Sequence, residues 1–154
     1  ESGADKPYDF AEWIPDAVII NLGTNDASAF KEPMWRDSYS GRTFKQHKNA
    51  DGSYMRKDVL RLEKAMTDFL TMVRKDNPAA HILWAYGMIG HELSPIIKEA
   101  VENYKKESKD LNVSFLELPD TSEEQMGSLQ HPGKKSHECA TRVIAGYLKK
   151  QLSC

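Results

Sequence analysis

Apolar residues recur along this chain with two different periods. Short runs of strand-forming residues, bounded by Gly, Pro, Asn or Asp, predict β-strands at residues 17–22, 81–86 and 113–118. Between and after these runs, apolar residues at helical spacing predict three amphipathic helices. Their apolar faces comprise Val59, Leu62, Met66, Phe69, Leu70 and Val73, then Leu93, Ile97, Ala100, Val101 and Tyr104, and finally Ala140, Val143, Ile144, Tyr147 and Leu148. The alternating order predicts an α/β fold in which helices flank a parallel sheet and crossovers are right-handed.

The segment at residues 27–57 interrupts this alternation. It is polar, contains aromatic residues and glycines, and is much longer than an ordinary connection between a strand and a helix. Two interpretations have equal weight. The insertion forms a lid or substrate wall in which Trp35, Tyr39 or Phe44 offers a stacking surface, or it is an ordered excursion that these rings fasten to the domain.

The composition excludes several classes of protein. With 154 residues, 40% of them hydrophobic and 29% charged, the chain is long enough to form one globular domain with a core. A net charge of -2 gives no basic surface for nucleic acid, and no apolar run reaches the roughly 20 residues of a membrane-spanning helix. We therefore predict neither a nucleic-acid partner nor a membrane partner.

The cysteines and histidines do not form a metal-binding pattern. Cys139 and Cys154 fall in the last predicted helix, about 22 Å apart, which is too far for a disulfide. His131 and His137 are separated by a spacing that suits no common zinc motif. We predict no metal site and no cofactor.

The loops that follow the three predicted strands carry the candidate chemistry, in the sequences GTND, GMIGH and GSLQHPGKKSH. Because the carboxyl ends of parallel strands meet at one edge of a sheet, we expect these loops to converge. His131 is the candidate general base, since a proline fixes the backbone after it and a helix follows. Asn25 faces the same crevice from the first loop. Met88 and His91 either line this pocket or close a turn, and pocket lining is favoured.

Two of these stretches resemble known sequence blocks. PDAVIINLGTND, residues 15–26, resembles block III of the SGNH (GDSL-type) esterases, and GSLQHPGKKSHECATRVIAGYL, residues 127–148, resembles the His-containing block V and its helix. The resemblance is strongest to the family 2 carbohydrate esterases, which remove acetyl groups from plant polysaccharides, and it includes HILWAYGMIG. It implies an SGNH/flavodoxin-like three-layer sandwich.

The resemblance also implies roles for individual residues. Asn25 would donate its side-chain amide to the oxyanion hole, Gly23 would allow the tight turn beneath it, and His131 would activate a serine. Apart from the resemblance, we predict that Trp35, Met88 and Gln130 contact the substrate. Many SGNH enzymes have an Asp three residues before this His, where the chain has Ser128. Some family 2 carbohydrate esterases instead hold the imidazole with a backbone carbonyl, and the sequence leaves open which group orients His131.

The nucleophile of the family is missing from these residues. Neither its GDS motif nor its second oxyanion-hole glycine motif occurs, and the chain begins without an initiator Met or an apolar secretion segment. We therefore expect residues 1–154 to be the C-terminal portion of one SGNH domain that is incomplete here, with its nucleophilic serine upstream. The full-length protein would be secreted or at the cell surface.

Two functions follow from the resemblance. The first is a serine esterase that hydrolyses acyl esters, with acetyl favoured, on carbohydrate, and this chain alone would then be inactive. The second is a non-catalytic SGNH-like module that binds carbohydrate. In either case the apolar strand at residues 17–22 has an unpaired edge with free backbone donors and acceptors. We expect the N-terminal half of the domain or a second copy of the chain to pair with this edge.

Overall fold

The computed structural model describes residues 9–152. Five strands and four α-helices occur in it, with two short 3-10 helices between the last strand and the last helix. In chain order they are β1 (Ala17–Ile20), α1 (Thr24–Ala29), β2 (Trp35–Arg36), β3 (Thr43–Phe44), α2 (Arg56–Asp76), β4 (His81–Gly87), α3 (Ser94–Ser108), β5 (Val113–Leu118), the 3-10 helices Glu123–Gln125 and Ser128–Gln130, and α4 (Lys134–Leu152). No helix of this part of the chain is long and apolar enough to cross a membrane.

The main sheet has three parallel strands in the order β1-β4-β5. All seven residues of β4, HILWAYG, are buried, as its continuous run of apolar residues predicts for a central parallel strand. Alternate residues of β4 face opposite sides of the sheet. Ile82, Trp84 and Tyr86 pack into the cluster that contains residues of α2 and α3, and Leu83 and Ala85 pack against α4. Helices therefore cover both faces, and the predicted α/β sandwich is confirmed.

Most predicted element positions agree with the structure. The third predicted strand coincides with β5, whereas the first ends at Ile20, before Asn21 and Leu22. The prediction that Val143 lies on the apolar face of α4 is wrong, because this residue is exposed while Ile144 and Tyr147 pack against the core. The apolar stripe of this helix is narrower than its sequence suggests, and it packs against β4, β5 and the 3-10 helix Glu123–Gln125.

The insertion at residues 27–57 is ordered rather than a simple loop. It includes the end of α1 and a small antiparallel hairpin, β2–β3. Phe30 is buried, and its ring lies 4.3 Å from the ring of Tyr54, which packs against the main core. Trp35, Tyr39 and Phe44 are all exposed. Phe30 and Tyr54 thus fasten the insertion to the domain. Of the two equally weighted interpretations, the exposed Trp35, Tyr39 and Phe44 are consistent with a surface available for stacking, which stays a prediction.

Cys139 is a free, half-buried thiol on α4. Cys154 lies outside the described residues, so the predicted absence of a bond between the two stays a prediction.

Candidate active site

The turn after β1 is built around Gly23. Its φ is 128°, a conformation that L side chains rarely adopt, and a Cβ atom there would lie 3.0 Å from both Tyr86 and Ile97. Its carbonyl accepts the N–H of Ala27 at 2.9 Å, which begins α1. The position therefore requires glycine, and the chain turns sharply from the sheet into the helix that carries Asn25.

Side-chain hydrogen bonds hold the segment between β1 and this turn. The amide of Asn21 donates to the carbonyl of Ala85 at 2.7 Å, and the indole N–H of Trp84 donates to the carbonyl of Leu22 at 3.0 Å. Both hydrogen bonds join this segment to β4. They take the place of the backbone pairing between β1 and β4, which ends at Ile20. The Gly23 turn is therefore fixed to the buried central strand.

Asn25 is exposed and lines a cavity of about 540 Å³, which we call the Asn25 cavity. Its walls include Met34, Trp35, Phe44 and Gln46. Trp35 is 60% exposed, and its ring centroid lies 5.5 Å from that of Phe44 across the β2–β3 hairpin. A primary amide thus stands beside an open aromatic wall.

His131 follows the second 3-10 helix and is exposed at the same end of the sheet. Its Nδ1 lies 2.9 Å from the carbonyl oxygen of Leu129. Because a carbonyl can only accept, this hydrogen bond requires the proton on Nδ1 and leaves Nε2 as the basic nitrogen of the neutral ring. A backbone carbonyl, that of Leu129, therefore orients the imidazole, which the sequence had left open.

The loop around His131 is held in a constrained conformation. Leu129 and Gln130 have φ angles of 53° and 60°, both in the left-handed region that non-glycine residues rarely occupy. The N–H of Gly127 donates to the carbonyl of His131 at 2.7 Å, and the N–H of Gly133 donates to the carbonyl of Gln125 at 2.8 Å. These two bonds close the base of the loop and keep its strained residues in place.

The loops after β4 and β5 are tied to each other. The N–H of Thr121 donates to the carbonyl of Met88 at 3.0 Å. The carboxylate of Asp120 accepts the N–H of Gly90 at 2.9 Å and lies 3.1 Å from Nε2 of His91. His91 therefore contacts the loop after β5, and its pocket-lining role stays a prediction.

Comparison with known proteins assigns the family. Residues 5–144 match the family described as GDSL-like Lipase/Acylhydrolase. The chain belongs to this family. The resemblance of its GTND and HPG stretches to the SGNH (GDSL-type) esterases is thereby confirmed.

Relatives of this GDSL-family chain include carbohydrate esterases. An acetyl xylan esterase (Est2A) from the rumen bacterium Butyrivibrio proteoclasticus is 46% identical with a TM-score of 0.92, and the match covers 95% of this chain and 39% of that one. A family two carbohydrate esterase from Clostridium thermocellum, solved in complex with cellohexaose, is 27% identical with a TM-score of 0.69, over 94% of this chain and 38% of that one. The cellulase/esterase CelE of Acetivibrio thermocellus is 26% identical over 150 residues, which are 94% of this chain and 15% of that protein. The chain thus spans well under half the length of each.

The structure of this GDSL-family chain brings some of the predicted site residues together and keeps others apart. Asn25 and Trp35 line one cavity, and that cavity includes neither His131 nor Gln130. Asn25 follows β1 and His131 follows β5, so the two stand on either side of β4 at the same edge of the sheet. That they share one crevice stays a prediction.

Met88 has a packing role. It is 7% exposed, has a φ of 71°, and packs with Leu118 and Ala140 beneath the edge of the sheet. Its predicted contact with substrate stays a prediction, since the observed side chain is covered by core residues.

Sequence reasoning missed Asp120, which fixes the GMIGH loop of this GDSL-family chain. Asp120 follows β5 in the sequence LPDTS, and the argument that placed polar residues after β1 applies equally to it.

Proposed function

We propose that this chain supplies the general base and the oxyanion-hole amide of a serine esterase that removes acyl groups, with acetyl favoured, from carbohydrate. The observation that carries the proposal is the hydrogen bond from Nδ1 of His131 to the carbonyl of Leu129. It presents Nε2 as a base on an exposed loop at the same edge as Asn25. The nucleophilic serine belongs to a part of the domain upstream of residues 1–154.

In the proposed reaction, Nε2 of His131 takes the proton of the serine hydroxyl as its oxygen attacks the acyl carbonyl. The same nitrogen then gives that proton to the leaving sugar oxygen, and a water molecule repeats the sequence to release the acid. The Leu129 carbonyl holds the Nδ1 proton throughout. It stabilises imidazolium less than a buried carboxylate would, so the base is weaker than in a full triad.

Asn25 contributes to the same step without changing its charge. Its amide NH₂ donates to the oxyanion that forms on the acyl carbonyl, and removal of one such donor costs roughly 10²–10³ in kcat in acyl-transfer enzymes. Gly23 supports this role because its conformation sets the direction in which α1 begins.

The Asn25 cavity would hold the sugar that carries the ester. The exposed ring of Trp35 offers an apolar face for a pyranose ring, and Gln130, exposed beside His131, offers an amide for sugar hydroxyls. The relatives support this substrate class, since an acetyl xylan esterase and a family two carbohydrate esterase in complex with cellohexaose are among them. A polysaccharide substrate in turn favours a secreted or cell-surface protein.

The alternative is a non-catalytic module that binds carbohydrate through the same aromatic wall. It is favoured by one observation, the open Trp35 and Phe44 surface beside Asn25, which does not depend on a nucleophile.

The test compares two histidines in the full-length protein. We expect His131→Ala to lower kcat on acetylated xylo-oligosaccharides by roughly 10²–10⁴, the contribution of a general base. His137→Ala is the matched control, because His137 is exposed in the first turn of α4, and its activity should match wild type. Full activity of His131→Ala would refute the proposal, and a wild-type protein that binds these sugars without hydrolysing them would establish the alternative.

A further inference from the structure

A second cavity, of about 360 Å³, lies at the start of α2 and is rich in positive charge. Its lining includes Lys45, His47, Lys57 and Arg61 together with one carboxylate, Asp58, and we call it the cationic cavity. The chain as a whole has a net charge of -2, so this concentration of cations does not follow from the composition.

The single carboxylate of the cationic cavity is already engaged. Asp58 is 6% exposed and accepts both the backbone N–H of His47 at 2.8 Å and its ring Nδ1 at 2.9 Å. Burial raises the pKa of Asp58, but the hydrogen bonds from His47 and the charges of His47 and Arg61 outweigh it, so its pKa lies below the ordinary 3.8. Asp58 is thus ionised and bound to His47. Its charge also acts on Arg61, which lines the cavity together with Lys45 and Lys57.

The positions of these two cations are unfavourable for the helix itself. Lys57 and Arg61 are four residues apart, which places two like charges on one face of α2. Lys57 also stands in the first turn, where the helix dipole disfavours a cation. Among residues 9–152, no carboxylate forms a salt bridge with either side chain within 4.0 Å. An anionic ligand would compensate for both costs.

The cationic cavity adjoins the Asn25 cavity. Met34 lines both of them. A third cavity, of about 160 Å³, shares Phe44 and Gln46 with the Asn25 cavity and Asp58 and Arg61 with the cationic cavity. Because neighbouring cavities share lining residues, we refer to the three together, from Asn25 to the start of α2, as the groove.

We propose that the cationic cavity binds the carboxylate of a uronic-acid unit in the carbohydrate chain whose acyl ester lies at Asn25. The inference rests on the proposed function, and it names a substrate class, an acetylated polysaccharide with acidic sugars. Arg61 would bind the carboxylate through its planar guanidinium and Lys57 would add a second charge. The neighbouring sugars would occupy the groove between the two cavities.

Calorimetric titration of the full-length protein tests this without any turnover. The probes are a xylo-oligosaccharide that carries one glucuronic acid and the neutral xylo-oligosaccharide of equal length, both free of acetyl groups. We expect the acidic probe to bind about tenfold more tightly than the neutral one at low salt, and the difference to shrink as sodium chloride screens the charges. In Lys57→Gln/Arg61→Gln the preference should fall to about twofold or less, with neutral binding unchanged.

The matched control is Lys64→Gln/Lys98→Gln, which removes two exposed lysines of α2 and α3 outside the groove. This control variant should bind the acidic probe more tightly than the neutral one by the same factor as the wild type. The single variant Lys57→Gln, at an exposed first-turn position, should lose part of the preference and serves if the double variant does not fold.

Equal affinity of the wild type for the two probes, or an undiminished preference in folded Lys57→Gln, would overturn the inference. Competition by sodium acetate at the same concentration as the acidic probe would also overturn it, because the site would then take any small anion. The two proposals fail separately. If the protein hydrolyses the ester but binds the two probes equally, only the uronic-acid site is refuted. If it binds the acidic probe more tightly but does not hydrolyse the ester, only the esterase proposal is refuted.

Discussion

At the scale of single residues, some of the site follows from the sequence and some depends on distant contacts. Gly23 was predictable as a turn glycine, because the residue stands between an apolar strand and polar site residues. Ser128 in place of an Asp indicated that no local carboxylate orients His131, but not that the carbonyl of Leu129 does. The left-handed conformations of Leu129 and Gln130 could not be predicted, because neither residue type favours them and the hydrogen bonds at Gly127 and Gly133 impose them.

Asn25→Ala should lower kcat of the full-length protein by roughly 10²–10³ with a smaller effect on KM, because in the proposed reaction the amide donates to the transition-state oxyanion. Steady-state kinetics on an acetylated xylo-oligosaccharide would measure both parameters. Asn103→Ala on α3 is the control for the same change away from the sheet edge and should leave both unchanged. A rise in KM with kcat unaltered would show that Asn25 binds the ground-state substrate instead.

Leu129→Gly should stabilise the protein. A non-glycine residue in the left-handed region costs the folded state about 1–2 kcal/mol, and glycine removes this cost. Glycine also raises the conformational entropy of the unfolded chain, which offsets about 0.4–1 kcal/mol, so the net increase in the free energy of unfolding is about 0.5–1 kcal/mol. The carbonyl that holds His131 is retained, so kcat should change by less than about threefold. Urea unfolding gives the free energy. Leu111→Gly is the matched control, since Leu111 is equally exposed but has no positive φ, and it should lose stability.

At the scale of elements, long periodic segments were predictable and short ones were not. The six residues of β5 match their prediction, and α2, α3 and α4 were indicated by apolar faces that each span several turns. α1, with the sequence TNDASA, and the two-residue strands of the β2–β3 hairpin are too short to carry a period. Their positions depend on burial of Phe30 and on the contact between His47 and Asp58.

Asp58→Asn should therefore weaken the attachment of the insertion to α2 and lower the free energy of unfolding. The carboxylate accepts two N–H donors of His47 in a buried position, and loss of such charge-assisted bonds costs about 1–3 kcal/mol. Because the folded pKa of Asp58 is below 3.8, its contribution is complete above that pH and is lost as the pH falls through the folded value.

Urea unfolding at pH 7 and at successively lower pH values would measure this difference. The gap in unfolding free energy between wild type and Asp58→Asn should be large at pH 7 and should shrink in acid. Asp68→Asn, an exposed acid on the same helix paired with Lys64, should cost less than about 1 kcal/mol. A gap that is independent of pH would mean that ionisation of Asp58 does not hold the insertion.

At the scale of the whole molecule, the fold class was predictable and the relation between the site loops was not. Alternation of strands and helices indicated a parallel sheet, and the family resemblance indicated the three-layer arrangement. The order β1-β4-β5 depends on distant pairings, which join Ala17 to His81, 64 residues apart, and Ile82 to Val113, 31 residues apart. Local patterns carry no information about such pairing, which is why the sequence left open how far apart Asn25 and His131 lie.

The same strand order makes β1 an edge. Within residues 9–152 its hydrogen-bonded neighbour in the sheet is β4 alone, and Ile19 and Leu22 are 47% and 56% exposed. A cavity of about 370 Å³ runs beside β1 and is lined by Trp13 and Val18 among others. An apolar strand edge of this kind is a template for pairing with another strand.

We therefore expect the chain of residues 1–154 to be stable only when this edge is covered, by the N-terminal portion of the domain or by a second copy of the chain. Size-exclusion chromatography with light scattering should show self-association of the purified chain that added N-terminal portion suppresses. Ile19→Lys places a charge on the edge and should weaken self-association, whereas Leu111→Lys, a substitution at an exposed leucine before β5, should not. A folded monomer that survives dilution without any partner would show that β1 needs no neighbour beyond β4, and would refute the proposed assembly.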